Sequence, residues 1–134
     1  MATDGLTTMQ SSFSPQETLL KLEAAVKARG MAVFARIDHA AGAADVGLAL
    51  RPTELVIFGN ARGGTPLMQS DQTMGIDLPL KARVWQDAAG KTWLSYDDPA
   101  WLVKRHGMGR EMDATVAALS AALSAVANAA TTSP

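Results

Sequence analysis

Leu19, Leu22 and Val26 recur at the three- and four-residue spacing of a single helical face. Just upstream, Ser14-Pro15-Gln16-Glu17 carries a helix start, with a hydroxyl to cap, a proline at the first helical position and a glutamate to complete a capping box. Gly30 supplies the stop. Alternation follows at Val33, Ala35 and Ile37, which predicts a strand. From His39 to Leu50 the chain is rich in alanine and predicts a short helix of about two turns capped by Asp38, weakened by its two glycines, and Arg51-Pro52 ends the segment because the residue before a proline is pushed out of helical geometry. The run Glu54 to Phe58 is apolar without alternation, the pattern of a central strand covered on both faces.

The glycine-rich segment Gly59 to Gly64 reads as a loop, and Thr65-Pro66 as the cap and first position of the next short helix. Leu80 to Asp87 and Lys91 to Tyr96 form a hairpin pattern around Asp87-Ala88-Ala89-Gly90. A four-residue loop there places Val84 opposite Trp93, Arg83 opposite Leu94 and Trp85 opposite Thr92. Asp98-Pro99 opens another short helix that ends near His106, and a last helix spans about residues 111–128. Its stripe of Met112, Val116, Leu119, Leu123 and Val126 is expected to pack on the domain's own sheet, each buried side chain stabilising the fold by roughly 1.5–3 kcal/mol. Residues 1–13 show no periodicity and read as a disordered tail. The pattern as a whole predicts one α+β domain over residues 14–130, with a four-stranded mixed sheet and helices packed on one side.

Composition narrows the function. The 134 residues carry a net charge of −1, which argues against a protein built to neutralise nucleic-acid phosphates. Without cysteine there is no disulfide, thiolate nucleophile or cysteine zinc cluster. The uncharged stretch Ala114 to Ala130 would span only about 26 Å, short of the roughly 30 Å hydrocarbon core. The chain is therefore expected to be cytoplasmic, with neither nucleic acid nor membrane as a partner.

Candidate chemistry gathers at strand ends. Gly59 and Gly64 have the spacing of a phosphate-binding loop, but its lysine is missing, which leaves an anion cradle rather than a nucleotide hydrolase. Arg62 could supply a counter-charge. His39 follows Asp38 where a strand gives way to a helix, and Asp77 lies between the loop region and the hairpin, so His39 could act as a general base if either carboxylate orients it. His106 reads as a helix-end residue facing terminal carbonyls. No metal-ligand motif is present and no cofactor is indicated. Tight turns, an ordinary cap at Thr65 and a surface imidazole at position 39 explain the same residues without any site.

The series His39, Ala43, Gly47, Leu50, Pro52, then Phe58-Gly59-Asn60, Gly64-Thr65-Pro66-Leu67-Met68, Asp77-Leu78-Pro79 and Tyr96 resembles the bacterial family catalogued as domain of unknown function 302. The resemblance covers roughly residues 30–106. It implies a small α+β domain with a β-α-β-β-β-α core that pairs as a homodimer, and it implies no activity, cofactor or catalytic residue. Where that family often has proline after Gly-Asn, this chain has Ala61. The leading expectation is a homodimeric domain binding a small molecule or anion through His39, Asn60, Gly64, Thr65 and Asp77. The alternatives are an enzyme using His39 as general base and a structural or interaction module.

Overall fold

Ser14 caps the first helix, α1 (Pro15–Ala28), its hydroxyl accepting the Glu17 amide at 3.1 Å, and Gly30 leaves the helix at φ +76°. The computed structural model describes residues 3–133. Within them lie strands β1 (Leu6–Gln10), β2 (Ala32–Asp38), β3 (Thr53–Gly59), β4 (Leu80–Gln86) and β5 (Thr92–Asp97), and helices α2 (His39–Asp45), α3 (Ala61–Ser70), α4 (Pro99–Arg105) and α5 (Asp113–Thr131). Short 3₁₀ turns cover Gln72–Ile76 and Arg110–Met112.

The sheet has five strands in the order β1-β5-β4-β3-β2, and every neighbouring pair is antiparallel. This corrects the expected four-stranded mixed sheet. The fifth strand comes from the segment read as a disordered tail: Leu6 to Gln10 pairs with β5 from Asp97 to Trp93, and the Thr8 and Ser95 hydroxyls meet at 2.9 Å. An edge strand held by its neighbour can form from a sequence with only Leu6 and Met9 as apolar members, because backbone pairing rather than local propensity supports it.

One sheet face is dry. Phe58 opposes Leu80, Val56 opposes Ala82 and Val84 opposes Leu94, and all are buried beneath α1 and α5. Leu19, Leu22 and Val26 from α1 meet Leu119, Leu123 and Val126 from α5 over this face. Helix α5 with its preceding turn, Arg110–Thr131, is long and apolar enough to cross a membrane by length and composition, yet its buried stripe belongs to this core.

The hairpin register differs from expectation by one residue. Trp85 pairs with Trp93 and Arg83 with Ser95, while Leu94 lies opposite Val84. Gly90 at φ +83° follows the turn begun by Asp87, and the Asp87 amide donates to the Lys91 carbonyl at 2.9 Å. This glycine bulge absorbs an extra residue and slips the pairing. Trp85 and Trp93 therefore stack on the opposite sheet face, their centroids 6.1 Å apart, with the Arg83 guanidinium 5.9 Å from the Trp85 ring, while Leu94 faces the core.

Candidate functional site

The glycine-rich segment forms a helix sooner than expected. Asn60, not Thr65, caps α3: its Oδ1 accepts the Gly63 amide at 2.7 Å, so Thr65 and Pro66 lie inside the helix. An asparagine in extended geometry is at least as good a cap as threonine, and it stands directly after the β3 strand. Beside this helix start is a pocket of about 250 Å³. Asn60, Gly63 and Gly64 form one wall, Leu78, Pro79 and Leu80 a second, and Ala118, Leu119 and Ala122 of α5 a third. Arg29, at the end of α1, supplies the cation on its rim and has no ion-pair partner among the described residues. The lining is mainly apolar with a few polar groups, the usual make-up of a small-molecule site.

His39 does not reach this pocket. Strand β2 begins with Ala32 opposite Gly59 and ends with Asp38 opposite Glu54, so His39 and Asn60 lie at opposite ends of the sheet, about 20 Å apart along the strand. Asp38 is occupied as the α2 cap, accepting the Ala41 amide at 2.9 Å. The expected hollow shared by His39 and the segment at Thr65 is therefore not formed, and Asp77 is not the partner of His39. Thr65 faces a different groove, lined also by Met68, Asp71, Gln72 and Thr73. Of the five candidate residues, Asn60 and Gly64 share the pocket, while His39, Thr65 and Asp77 lie elsewhere.

Asp77 instead belongs to a polar cluster at the end of α4. Arg105 Nη1 donates to both of its carboxylate oxygens, at 2.9 and 2.8 Å, and His106 Nε2 meets Oδ2 at 2.6 Å. His106 Nδ1 contacts the Thr73 hydroxyl at 2.8 Å, and that hydroxyl lies 2.7 Å from Asp71 Oδ1. Bonds from the Thr73 hydroxyl and then its amide hold the Asp71 carboxyl below its ordinary pKa, with His106 adding a smaller favourable charge effect. His106 was expected to face helix-terminal carbonyls, but its ring nitrogens are both taken by side chains. No local motif announces this pairing, because Asp77 and His106 are 29 positions apart and meet only through the fold. Among the described residues no group of three or more metal-ligating side chains gathers.

Comparison with known proteins agrees with this architecture. The family model described as "Domain of unknown function DUF302" matches residues 7–126. A crystal structure of an uncharacterized conserved DUF302 protein from Bacillus stearothermophilus superposes with a TM-score of 0.85 at 21% identity, covering 96% of this chain and 99% of that one. The chain is 50% identical over 115 residues to the fluoride-specific ion channel FluC 1 of Brucella suis biovar 1 (strain 1330), a match covering 86% of this chain and 45% of the relative. The fluoride-specific ion channel FluC 2 of Brucella melitensis biotype 1 matches to the same extent over 43% of its length. The chain thus spans less than half the length of these curated relatives.

Proposed function

The chain belongs to the family described as domain of unknown function DUF302, and from that premise we propose that it is a homodimeric cytoplasmic domain binding a small anion or anionic small molecule. The observation that carries this reading is the pocket formed by Asn60, Gly63 and Gly64 against α5, with Arg29 on its rim. An anionic head would meet the guanidinium and the Asn60 side chain, and an apolar body would lie against Leu78 and Leu119. Among the residues first singled out, Asn60 and Gly64 are kept as ligand contacts. Thermal unfolding against phosphate, short carboxylates, nucleotides and fluoride tests the reading. At least one anion should raise the melting temperature of the wild-type chain and not that of Arg29→Ala. A panel with no shift removes the proposal. Fluoride is included because the Brucella relatives bear the name of fluoride channels, and a fluoride-specific shift would make this domain an anion-sensing accessory to such a channel.

Homodimerisation is supported by the apolar surface this chain leaves uncovered. Phe34 and Ile37 on β2 are exposed, as are Val46, Leu48 and Leu50 in the segment joining α2 to β3. Ile37 lies opposite Leu55, and with Leu55 and Ile57 forms the half-open side of the strand whose sequence lacks alternation. A second copy burying about 800 Å² per partner would cover that side. Sedimentation should find a dimer in the wild-type chain and a monomer in Ile37→Glu, and a monomeric wild-type chain would refute it.

A further inference from the structure

We propose that Thr73, His106 and Asp77 form a nucleophile, base and orienting group that hydrolyse small activated esters at the mouth of the groove between α3 and the Gln72–Ile76 turn. This site is separate from the anion pocket, and its success or failure says nothing about that reading.

The geometry follows the order a hydroxyl nucleophile requires. Thr73 Oγ1 is 2.8 Å from His106 Nδ1, and His106 Nε2 is 2.6 Å from Asp77 Oδ2. Donation from Nε2–H to the carboxylate fixes the tautomer with an unprotonated Nδ1, which takes the hydroxyl proton once Thr73 turns it away from Asp71 Oδ1, its acceptor in this structure. Asp77 is itself fixed by Arg105, and the His106 and Asp77 side chains are only 9% and 14% exposed, so the base and its orienting group are held in place. Thr73 is exposed, and its residue lines the groove together with Thr65, Met68 and Gln72. Of the three residues Thr73 is exposed, and the two groups behind it are covered.

In the proposed step the Thr73 oxygen forms a bond to the ester carbonyl carbon while its proton passes to His106 Nδ1. The tetrahedral intermediate expels the alcohol or phenol, which takes the proton back from His106 and leaves an acyl-threonine. Water then attacks that acyl group, giving its proton to His106, and the carboxylic acid and free Thr73 hydroxyl are regenerated. Asp71 is the competing acceptor for the hydroxyl proton. When His106 is protonated it donates to Thr73, and Thr73 donates to Asp71, so the nucleophile is engaged and idle. The groups that set this balance are Asp71, Asp77 and Arg105, the charged side chains in the network.

The full chain assayed with p-nitrophenyl acetate tests this. Thr73→Ala and His106→Gln should each lower hydrolysis by about 10²-fold or more, and the double variant should be no slower than either alone, as for residues that act as a unit. Thr73→Ser should restore turnover. Acid-quenched wild-type protein should carry the acetyl group on the peptide containing Thr73. The proposal is overturned if Thr73→Ala, which alters only an exposed side chain, hydrolyses the ester at the wild-type rate. It is overturned equally if the acetyl group is found only on other residues.

Discussion

Replacing Gly64 by alanine separates the stability of α3 from the use of the pocket beside it. Gly64 lies inside the helix and on the pocket wall. A methyl group there would meet Leu78 Cδ1 at 3.6 Å and Met68 Cε at 3.9 Å, ordinary van der Waals distances. Removing a helix-interior glycine at a site that accepts alanine should therefore stabilise the fold by about 0.5–1 kcal/mol. For a chain of this length that corresponds to a melting temperature higher by about 2–5 °C. The same methyl intrudes on a pocket of about 250 Å³. Overpacking a filled site costs about 1–3 kcal/mol, or roughly 5- to 150-fold in Kd. Scanning calorimetry without ligand, and a titration with the anion that stabilises the wild-type chain, should show a firmer fold and weaker binding in one protein. Gly63→Ala is the contrast, because its methyl would come within 3.2 Å of Leu119 and 3.3 Å of the capping Asn60 Oδ1, and crowding offsets the helix gain. A Gly64→Ala protein that melts lower would refute the helix geometry. One that binds the anion as tightly as wild type would refute the pocket.

Other outcomes follow from the core, the turns and the cap. Leu123→Ala, at a side chain only 1% exposed between α5 and the sheet, should cost about 2–5 kcal/mol in urea unfolding, and a loss below 1 kcal/mol would contradict the packing described. Asp87 is held below its ordinary pKa, first by the Trp93 indole N–H and then by the Lys91 amide. A depressed carboxylate stabilises the fold fully above its unfolded pKa and loses that contribution as pH falls through the folded value. Asp87→Asn should therefore lower the melting temperature at neutral pH and narrow its gap from wild type in acid. A gap that widens on acidification would show the opposite linkage. Asn60→Ala removes the α3 cap and should cost about 1 kcal/mol in the same urea experiment, with no loss if Thr65 can take over as cap.

Local chemistry alone makes α1 legible, because its cap, proline, glutamate and stop all fall within its own segment. The Asp38 cap of α2 and the existence of the apolar β3 strand are legible for the same reason, but Leu55 and Ile57 leave one face of β3 half-open where the apolar run predicts cover on both. The sequence pattern carries the hairpin but not its register, since a single glycine bulge at Gly90 decides it. Two helix starts compete between Gly59 and Pro66, and the sequence pattern favours Thr65-Pro66 while the strand end brings Asn60 into capping geometry. Strand β1 carries too few apolar residues to be seen without β5 beside it. The site divides along the same line. Asn60 and Gly64 are neighbours in sequence and stay neighbours in space, whereas Asp77 could not be assigned to His106 rather than His39 without the path of α4.

The central claim, that the α3 pocket receives an anion, is tested most directly by backbone amide resonances of the labelled chain titrated with inorganic phosphate, acetate and fluoride. Saturable shifts in one of these titrations should centre on Asn60, Gly63, Gly64 and Leu119 and vanish in Arg29→Ala. Amides around Gly63 and Gly64 that stay still with every anion, or that respond equally without Arg29, would contradict it.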